Sequence, residues 1–377
     1  IFSLSVERML RKTVGFKLLG QIRHVSPSLA PIPQEDPLPR IPPSLPRKPP
    51  QIIPTASKVP VKLILRRTAS DEWRTMGPDG RLQAYLQLSK HRLTLLITST
   101  AVGGFMMSPA PFNLSTLAAC AAGTALLSSA ANACNQLLEA PYDAQMKRTQ
   151  SRVLVVHQFS PLQAFMFANI TGLTGVSILY CGCNSWTAAL GVLNLVLYAG
   201  VYTPMKRYHI GCTWAGAVVG AIPPLMGYTA LTGSLDAGAF VLAAILYAWQ
   251  FPHFNGLSWN LRGDYSRAGY RVMCVTDEGL CRRTTIRHSL FLLGLCSIAA
   301  PLSHLTTPVF AVNSIPLNAA MIYLAYKFYR DPGAQTSRNL FRFSLLYLPL
   351  IMALMVISRG EPPKPTILQK PVYITEE

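Results

Sequence analysis

The sequence predicts an all-α polytopic membrane protein with about nine transmembrane helices. Half of its 377 residues are hydrophobic and only 13% are charged, whereas a soluble domain carries about 25% charged residues. The apolar residues collect into blocks about as long as a bilayer is thick, and long stretches between residues 93 and 357 carry no charge. These observations favour a membrane-spanning bundle over two soluble domains.

The N-terminal arm, residues 1–84, differs in composition from the rest of the chain. Val6 to Arg23 form a basic amphipathic segment with Glu7 as its only acid, which is typical of mitochondrial targeting segments. The proline-rich stretch 27–60 predicts a disordered spacer, and a generic disordered arm is the alternative to a targeting segment. We expect a transmembrane domain over residues 85–358 and a short C-terminal tail over 359–377.

The transmembrane domain contains about nine apolar segments of spanning or near-spanning length. They cover residues 92–111, 115–138, 161–180, 186–204, 212–231, 236–258, 287–305, 309–328 and 340–357.

Basic residues alternate along the connections between these segments. The connections after segments 2, 4, 6 and 8 carry Lys and Arg, and those after segments 1, 3, 5 and 7 carry none. This one-sided pattern predicts that the N-terminus and all basic connections lie on one side of the membrane. In a mitochondrial inner-membrane protein that side is the matrix, and most carboxylates of the domain lie there too, so we expect the active site on it.

The formal net charge of +18 does not predict nucleic-acid binding. The basic residues flank apolar segments or lie in the arm, and no aromatic residues interleave with them on an exposed face. Anionic membrane lipid and phosphate-bearing substrates explain the positive charge better. The eight cysteines show no paired C-x-x-C units, so we interpret them as small core residues and not as a metal site or disulfide framework.

A polar stripe ends the second apolar segment. Asn135, Glu139 and Asp143 are spaced four residues apart, so they share one face of a helix. A carboxylate within the membrane is energetically costly unless a cation lies beside it. Oxygen ligands with this spacing suit Mg²⁺, which binds a few protein carboxylates together with phosphate oxygens of a substrate. The alternative is an interfacial helix end whose acids and bases pair with each other. The bases that follow the stripe are available for a diphosphate: Lys147, Arg148 and Arg152.

The stretch from Asn135 to Arg152 resembles the first Asp-rich motif of the UbiA-type intramembrane prenyltransferases, in the version of their haem-modifying branch. The resemblance extends over most of residues 92–345 and includes residues 202–207, 217–227 and 249–257. After Arg152 the family pattern runs Pro-Leu-Val-Arg-Gly, whereas this chain has Val-Leu-Val-Val-His at residues 153–157. A basic residue usually present beside the site is therefore missing.

The resemblance implies a UbiA-type helical bundle and a defined reaction. The expected cofactor is Mg²⁺ together with farnesyl diphosphate, and the expected acceptor is haem b, whose vinyl group receives the farnesyl chain to give haem O. Haem O serves haem A and cytochrome c oxidase biogenesis, so haem A synthase or cytochrome oxidase assembly factors are possible partners.

A second polar cluster begins at the end of the sixth segment. Ordinary members of the family carry further Asp-rich metal ligands here, but this chain offers only Asp264, with His253 near the position of another acid. The resemblance implies that these positions meet the acceptor. For His253 we keep open iron ligation, a hydrogen bond to a propionate, acid–base catalysis, or a purely structural role.

The expected site residues come from both clusters and from the turn between them. The catalytic set is Asn135, Glu139, Asp143, His253 and Asp264, with the first three as metal ligands; the substrate-binding set is Lys147, Arg148, Arg152, Tyr202, Lys206, Trp249, Gln250, Arg262 and Tyr265.

Three other functions remain as rivals. A prenyltransferase that modifies an aromatic ring for quinone synthesis predicts a second acidic cluster, which is absent after Trp249. A transporter or channel predicts internal repeats and polar residues on several helices, whereas polarity here collects on one side. A structural assembly factor leaves the spacing from Asn135 to Arg152 without a reason.

Overall fold

The structure, a computed structural model, describes residues 78–360. The predicted targeting segment, the proline-rich spacer and nearly all of the predicted C-terminal tail lie outside the described residues. Within them the chain is helical apart from the connections between helices, the longest of which covers residues 144–160, and one isolated bridge between Thr306 and Arg359.

The helices are numbered here in chain order over the described residues. They are α1 (Pro78–Leu88), α2 (His91–Met107), α3 (Leu114–Asp143), α4 (Pro161–Gly182), α5 (Ser185–Tyr208), α6 (Cys212–Thr232), α7 (Ala237–Arg267), α8 (Met273–Thr276), α9 (Glu278–Leu302), α10 (Pro308–Arg330) and α11 (Ala334–Ile357).

The predicted fold class is confirmed in the described residues. Eight helices, α3 to α7 and α9 to α11, are long and apolar enough to cross a membrane. The remaining predicted segment corresponds to α2, whose 17 residues lie at the short end of the spanning range of about 17–25 residues. The chain is therefore a multi-pass membrane protein built from helices.

Side-chain caps explain where several of these helices begin. The side-chain oxygens of Asn113, Ser160, Asn184, Asp236 and Asp277 each accept a hydrogen bond from a backbone N–H of the following first turn. Such caps satisfy donors that the helix itself cannot pair. The connections that end at Asn113, Asn184 and Asp236 are short, so the helices on either side of each run back across the bundle.

Several predicted boundaries differ from the structure by a few residues or more, and two of them bear on the site. Helix α1 begins at Pro78, so the predicted end of the arm at residue 84 falls inside a helix whose Ala84 and Leu88 are buried. Helix α7 continues to Arg267, about two and a half turns beyond the predicted end at 258. Its last turns are helical but polar, so a prediction based on hydropathy does not include them.

Helix α6 lies at the centre of the bundle, since 67% of its most apolar window is buried, the largest share among the eight spans of the described residues. Glycines let it approach α2 backbone to backbone. A Cβ built at Gly227 would lie 1.8 Å from the carbonyl oxygen of Ala101, and one at Gly104 would lie 2.0 Å from that of Pro224. Small residues at such contacts stabilise helix pairs in membranes through close packing.

Helix α5 contains a π-helical segment, Leu197–Tyr202, directly before Thr203–Tyr208. A π segment rotates the residues that follow it relative to a regular helix, and such segments are frequent at functional sites. Here the rotation brings Tyr198, Tyr202 and Lys206 to one cavity.

Candidate active site

The polar stripe on α3 lies inside the protein. Asn135, Glu139 and Asp143 are 1%, 5% and 0% exposed, and the helix continues through Pro141 to Asp143 without a break. Pro141 therefore does not separate the two carboxylates onto different faces. Two buried carboxylates and one amide share a single surface, as the four-residue spacing predicts.

Each carboxylate of the stripe forms an ion pair with a basic side chain. The Lys206 Nζ donates to Glu139 Oε1 at 2.6 Å, and the Arg152 guanidinium forms an ion pair with Asp143. Arg152 also lies 3.7 Å from Glu139 Oε2. Taking a carboxylate out of water is costly unless a charged partner offsets the loss, and these two bases provide that partner.

The amide of the stripe is held by two different groups. Lys90, between α1 and α2, donates from its Nζ to Asn135 Oδ1 at 2.6 Å. The Asn135 Nδ2 donates to Thr203 Oγ1 at 3.0 Å. Burial lowers the pKa of Lys90 well below its ordinary value, and the Arg152 guanidinium lowers it further.

One oxygen of the stripe has no partner. The Asp143 Oδ1 is buried and accepts no hydrogen bond from the described residues. A buried carboxylate oxygen without a donor is costly, so it marks a position for a ligand. The described residues contain no group of three or more His, Cys, Asp or Glu side chains that could hold a metal alone. This composition suits Mg²⁺, which takes one or two protein carboxylates and completes its shell with water and substrate phosphates.

The stripe faces a cavity of about 690 Å³ between the helices. Its basic end is formed by Lys90, Arg148, Arg152 and Lys206, and much of its remaining wall is apolar. Along α7 the lining runs from Leu246 to Tyr265, which corresponds to about 28 Å of helix. The cavity therefore joins a charged mouth to a long apolar interior.

Aromatic side chains surround the charged mouth. The Lys206 Nζ lies 4.4 Å from the centroid of the Tyr202 ring, an attractive cation–π contact. Tyr265 and Tyr270 also line the cavity, and burial raises the pKa of Tyr270. The Tyr270 hydroxyl is buried and has no partner among the described residues. Neutral hydroxyls are thus available beside the bases.

The predicted acceptor residues on α7 share this cavity. Trp249, Gln250 and His253 all line it. Gln250 donates to the carbonyl oxygen of Ala217 on α6 at 2.8 Å, and a Cβ at Gly220 would collide with the Gln250 amide. Gly220 therefore makes room for Gln250, which fixes α7 against α6.

Three predicted site residues lie away from the cavity lining. Lys147 is exposed, next to the lining residue Arg148. Arg262 and Asp264 lie on the extended end of α7, where Arg262 pairs with Glu278 at 3.4 Å and Asp264 pairs with Arg267. Their assignment to the site stays a prediction, whereas Asn135, Glu139, Asp143, Arg148, Arg152, Tyr202, Lys206, Trp249, Gln250, His253 and Tyr265 meet in one cavity.

Sequence reasoning missed Lys90 and Thr203. Lys90 precedes the first apolar segment, where a lysine is ordinarily a flanking positive charge. Its backbone is left-handed, with φ of 49°, and this conformation turns the chain between α1 and α2. This backbone conformation is unusual for a residue other than glycine, and no pattern in the sequence predicts it.

The connection after Arg152 explains one departure from the family pattern. His157 stands where the pattern has Gly, and its φ is 56°, in the left-handed region that favours glycine. We expect His157→Gly to stabilise the protein by roughly 1 kcal/mol. Slower thermal inactivation in detergent checks this, with Gln158→Gly as the matched control that should not stabilise. A faster inactivation of His157→Gly would contradict it.

Comparisons with known proteins agree with this geometry. The model of the UbiA prenyltransferase family matches residues 96–348. Protoheme IX farnesyltransferase, mitochondrial, of Homo sapiens is 51% identical over 290 residues, and that of Yarrowia lipolytica is 42% identical over 290 residues. These matches cover 75% and 73% of this chain and 64% and 61% of the relatives. The chain thus spans less than two thirds of their length.

Solved structures share the fold. A digeranylgeranylglyceryl phosphate synthase superimposes with a TM-score of 0.63 at 13% identity, covering 74% of this chain and 98% of that one. A UbiA homologue from Archaeoglobus fulgidus bound to DMAPP and Mg²⁺ gives a TM-score of 0.51 at 12% identity, covering 72% of this chain and 99% of that one. With a family match over most of the described residues and the same helical fold, this chain belongs to the UbiA prenyltransferase family.

Proposed function

We propose that this protein transfers the farnesyl group of farnesyl diphosphate to a vinyl group of haem b and so produces haem O. The observation that carries the proposal is the buried stripe on α3 with a base on each polar side chain, at the mouth of a long apolar cavity. The names of the relatives supply the acceptor and the prenyl donor.

The proposed metal ligands fit Mg²⁺. Asn135, Glu139 and Asp143 would hold it, and the unpartnered Asp143 Oδ1 supports this assignment. Bound there with the diphosphate, Mg²⁺ neutralises part of the charge on the leaving group. The Mg²⁺ in the Archaeoglobus fulgidus homologue agrees with a metal-dependent member of the same fold.

The bases have a second task in this proposal. When the diphosphate arrives, Lys90, Arg152 and Lys206 exchange their contacts on the stripe for phosphate oxygens, and Arg148 lies beside them. Donors held in place before the reaction stabilise the charge that grows on the diphosphate as the carbon–oxygen bond breaks. The stripe and the bases therefore act together on the metal and the diphosphate.

The apolar interior then protects the allylic cation that remains on the farnesyl chain. The π electrons of a porphyrin vinyl group form the new carbon–carbon bond, which leaves a cation on the neighbouring carbon. A water oxygen adds there and loses its proton, giving a hydroxyethylfarnesyl side chain. The cavity volume of about 690 Å³ lies within the range of about 300–1,000 Å³ that is usual for ligand-binding sites in proteins.

The location follows the same reasoning. We place the protein in the mitochondrial inner membrane with the N-terminus and the charged cavity mouth facing the matrix. The mitochondrial names of the relatives support the organelle, and the one-sided basic connections support the orientation. Haem A synthase and cytochrome oxidase assembly factors are the partners we propose for the product.

The lowered pKa of Lys90 gives a pH prediction. Rising pH removes the charge of Lys90 earlier than that of an ordinary lysine, so pyrophosphate binding with Mg²⁺ should weaken on the alkaline side. Arginine stays charged, and Lys90→Arg should therefore lose less affinity than the wild type between neutral and alkaline pH. Calorimetric titration at several pH values measures this, and the exposed Lys327→Arg is the control. Parallel pH profiles of wild type and Lys90→Arg would contradict it.

The reaction itself tests the proposed function. The purified protein in lipid nanodiscs is incubated with haem b, farnesyl diphosphate and Mg²⁺, and the porphyrin mass is then measured. We expect a porphyrin that has gained one farnesyl group and one hydroxyl, and none when Mg²⁺ is chelated. A haem b that stays unmodified, while an aromatic quinone precursor is prenylated instead, would reject the proposal.

A further inference from the structure

We infer that His253 ligates the iron of the acceptor haem through its Nε2 atom. This inference rests on the proposed function and assigns one role to a histidine for which the sequence left several open. It depends on the hydrogen bonds of Ser344, on the packing of the imidazole ring and on the place of His253 in the cavity.

Ser344 determines which nitrogen of His253 carries the proton. The Ser344 hydroxyl has a single proton, and it donates that proton to the carbonyl oxygen of Phe341 at 2.6 Å. The His253 Nδ1 lies 2.9 Å from the Ser344 Oγ. The contact to Phe341 is the shorter of the two, so we assign the Ser344 proton to it; the Nδ1 then carries the hydrogen and donates it to the Oγ. The Nε2 of the neutral ring therefore keeps its lone pair.

Aromatic neighbours fix the plane of the ring. Trp249 stacks on His253, with centroids 4.6 Å apart and planes 24° apart. The Trp249 Nε1 donates to the carbonyl oxygen of Ser344 at 2.9 Å, and the Phe341 ring lies 5.1 Å from the imidazole. One helix, α11, thus holds the histidine and its stacking partner together. A metal-binding histidine is typically oriented by such a hydrogen bond from its other nitrogen.

The Nε2 has no hydrogen-bond partner in the part of the chain that the structure describes, and His253 lines the large cavity. A nitrogen with a lone pair accepts a metal or a proton but cannot donate to a carboxylate. This excludes a direct hydrogen bond from the neutral ring to a haem propionate. Haem iron, for which histidine is a common axial ligand, matches the lone pair.

The position of His253 suits an acceptor next to the diphosphate. Lys206 contacts Tyr202, and a Cβ at Gly216 would lie 2.7 Å from the Tyr202 ring. The next residue on α6, Ala217, accepts the hydrogen bond from Gln250, three residues before His253. A short series of contacts through α6 thus connects Lys206, which would bind the diphosphate, with the turn of α7 that carries His253.

The test compares haem spectra and affinities in nanodiscs without farnesyl diphosphate. Wild type with haem b should show the absorption spectrum of a histidine-ligated iron. In His253→Gly that signature should disappear and return with added imidazole. Ser344→Ala, which frees the ring, should weaken haem binding by about tenfold. Affinity for iron-free protoporphyrin IX should stay unchanged in both variants, and the exposed His209→Ala should match the wild type.

The outcomes separate this inference from the proposed function. An unchanged haem spectrum and affinity in His253→Gly would overturn iron ligation, while farnesyl transfer by the wild type would leave the proposed function standing. Loss of transfer in His253→Gly with an unchanged spectrum would assign the histidine to proton transfer and also overturn the inference. Pyrophosphate binding by each variant shows that it is folded.

Discussion

Asp143→Asn is expected to lower the rate of farnesyl transfer by about 10²- to 10³-fold. Asp143 is fully buried, pairs with Arg152 through one oxygen and leaves the other without a partner. Asparagine keeps the size of the side chain but removes its charge and one of its two acceptors. The measurement is haem O formation by purified protein at saturating substrates.

The control for this variant is Asp277→Asn. Asp277 is a half-exposed carboxylate that caps α9, and asparagine caps a helix equally well, so activity should stay at the wild-type level. Both variants should elute from size-exclusion chromatography as the wild type does. Wild-type haem O formation by Asp143→Asn would remove the stripe from the mechanism.

Lys206→Met is expected to weaken binding of magnesium pyrophosphate by about two orders of magnitude and to destabilise the protein as well. It removes one of the bases at the mouth, and it leaves Glu139 buried without its lysine. Loss of one partner of a buried ion pair costs about 3–5 kcal/mol. Calorimetry and thermal inactivation measure the two effects separately.

A double variant distinguishes binding from folding. In Lys206→Met/Glu139→Gln the buried charge is gone, so much of the stability should return, while binding of pyrophosphate measured without Mg²⁺, which does not depend on the proposed metal ligand Glu139, stays weak. The matched control is Lys327→Met, an exposed lysine at the end of α10, which should change neither property. Recovery of pyrophosphate affinity in the double variant would show that Lys206 only neutralises Glu139.

Much of the fold was predictable because lipid demands long apolar helices. The nine predicted segments correspond to α2 to α7 and α9 to α11. The polar end of α7 was assigned to a loop, since hydropathy measures transfer into lipid and not helix formation. Residues such as Asp264 were therefore expected in a loop and lie on a helix.

The site was predictable where one helix carries it. The four-residue spacing from Asn135 to Asp143 determines a common face, whatever the rest of the bundle does. Contacts between distant parts of the chain were not predictable in the same way. Lys90 reaches Asn135 from a turn 45 positions earlier, and Ser344 reaches His253 from 91 positions later. Such pairs depend on tertiary packing, which a single sequence does not reveal.

The ion pairs of the polar stripe agree with both interpretations of it, a metal site and a set of paired acids and bases. The alternative to a metal site was that acids and bases simply pair, and they do pair here, through Arg152 with Asp143 and Lys206 with Glu139. Pairing alone does not account for the unpartnered Asp143 Oδ1 or for the cavity beside it. The paired bases are then the groups that a diphosphate would displace.

Calorimetric titration of the wild type with Mg²⁺ and pyrophosphate tests this account most directly. Because bases neutralise the stripe, Mg²⁺ alone should bind weakly, and pyrophosphate should strengthen its binding by drawing those bases away. Mg²⁺ and pyrophosphate should therefore each tighten the binding of the other. Binding of either one with the same affinity whether or not the other is present would contradict the central claim.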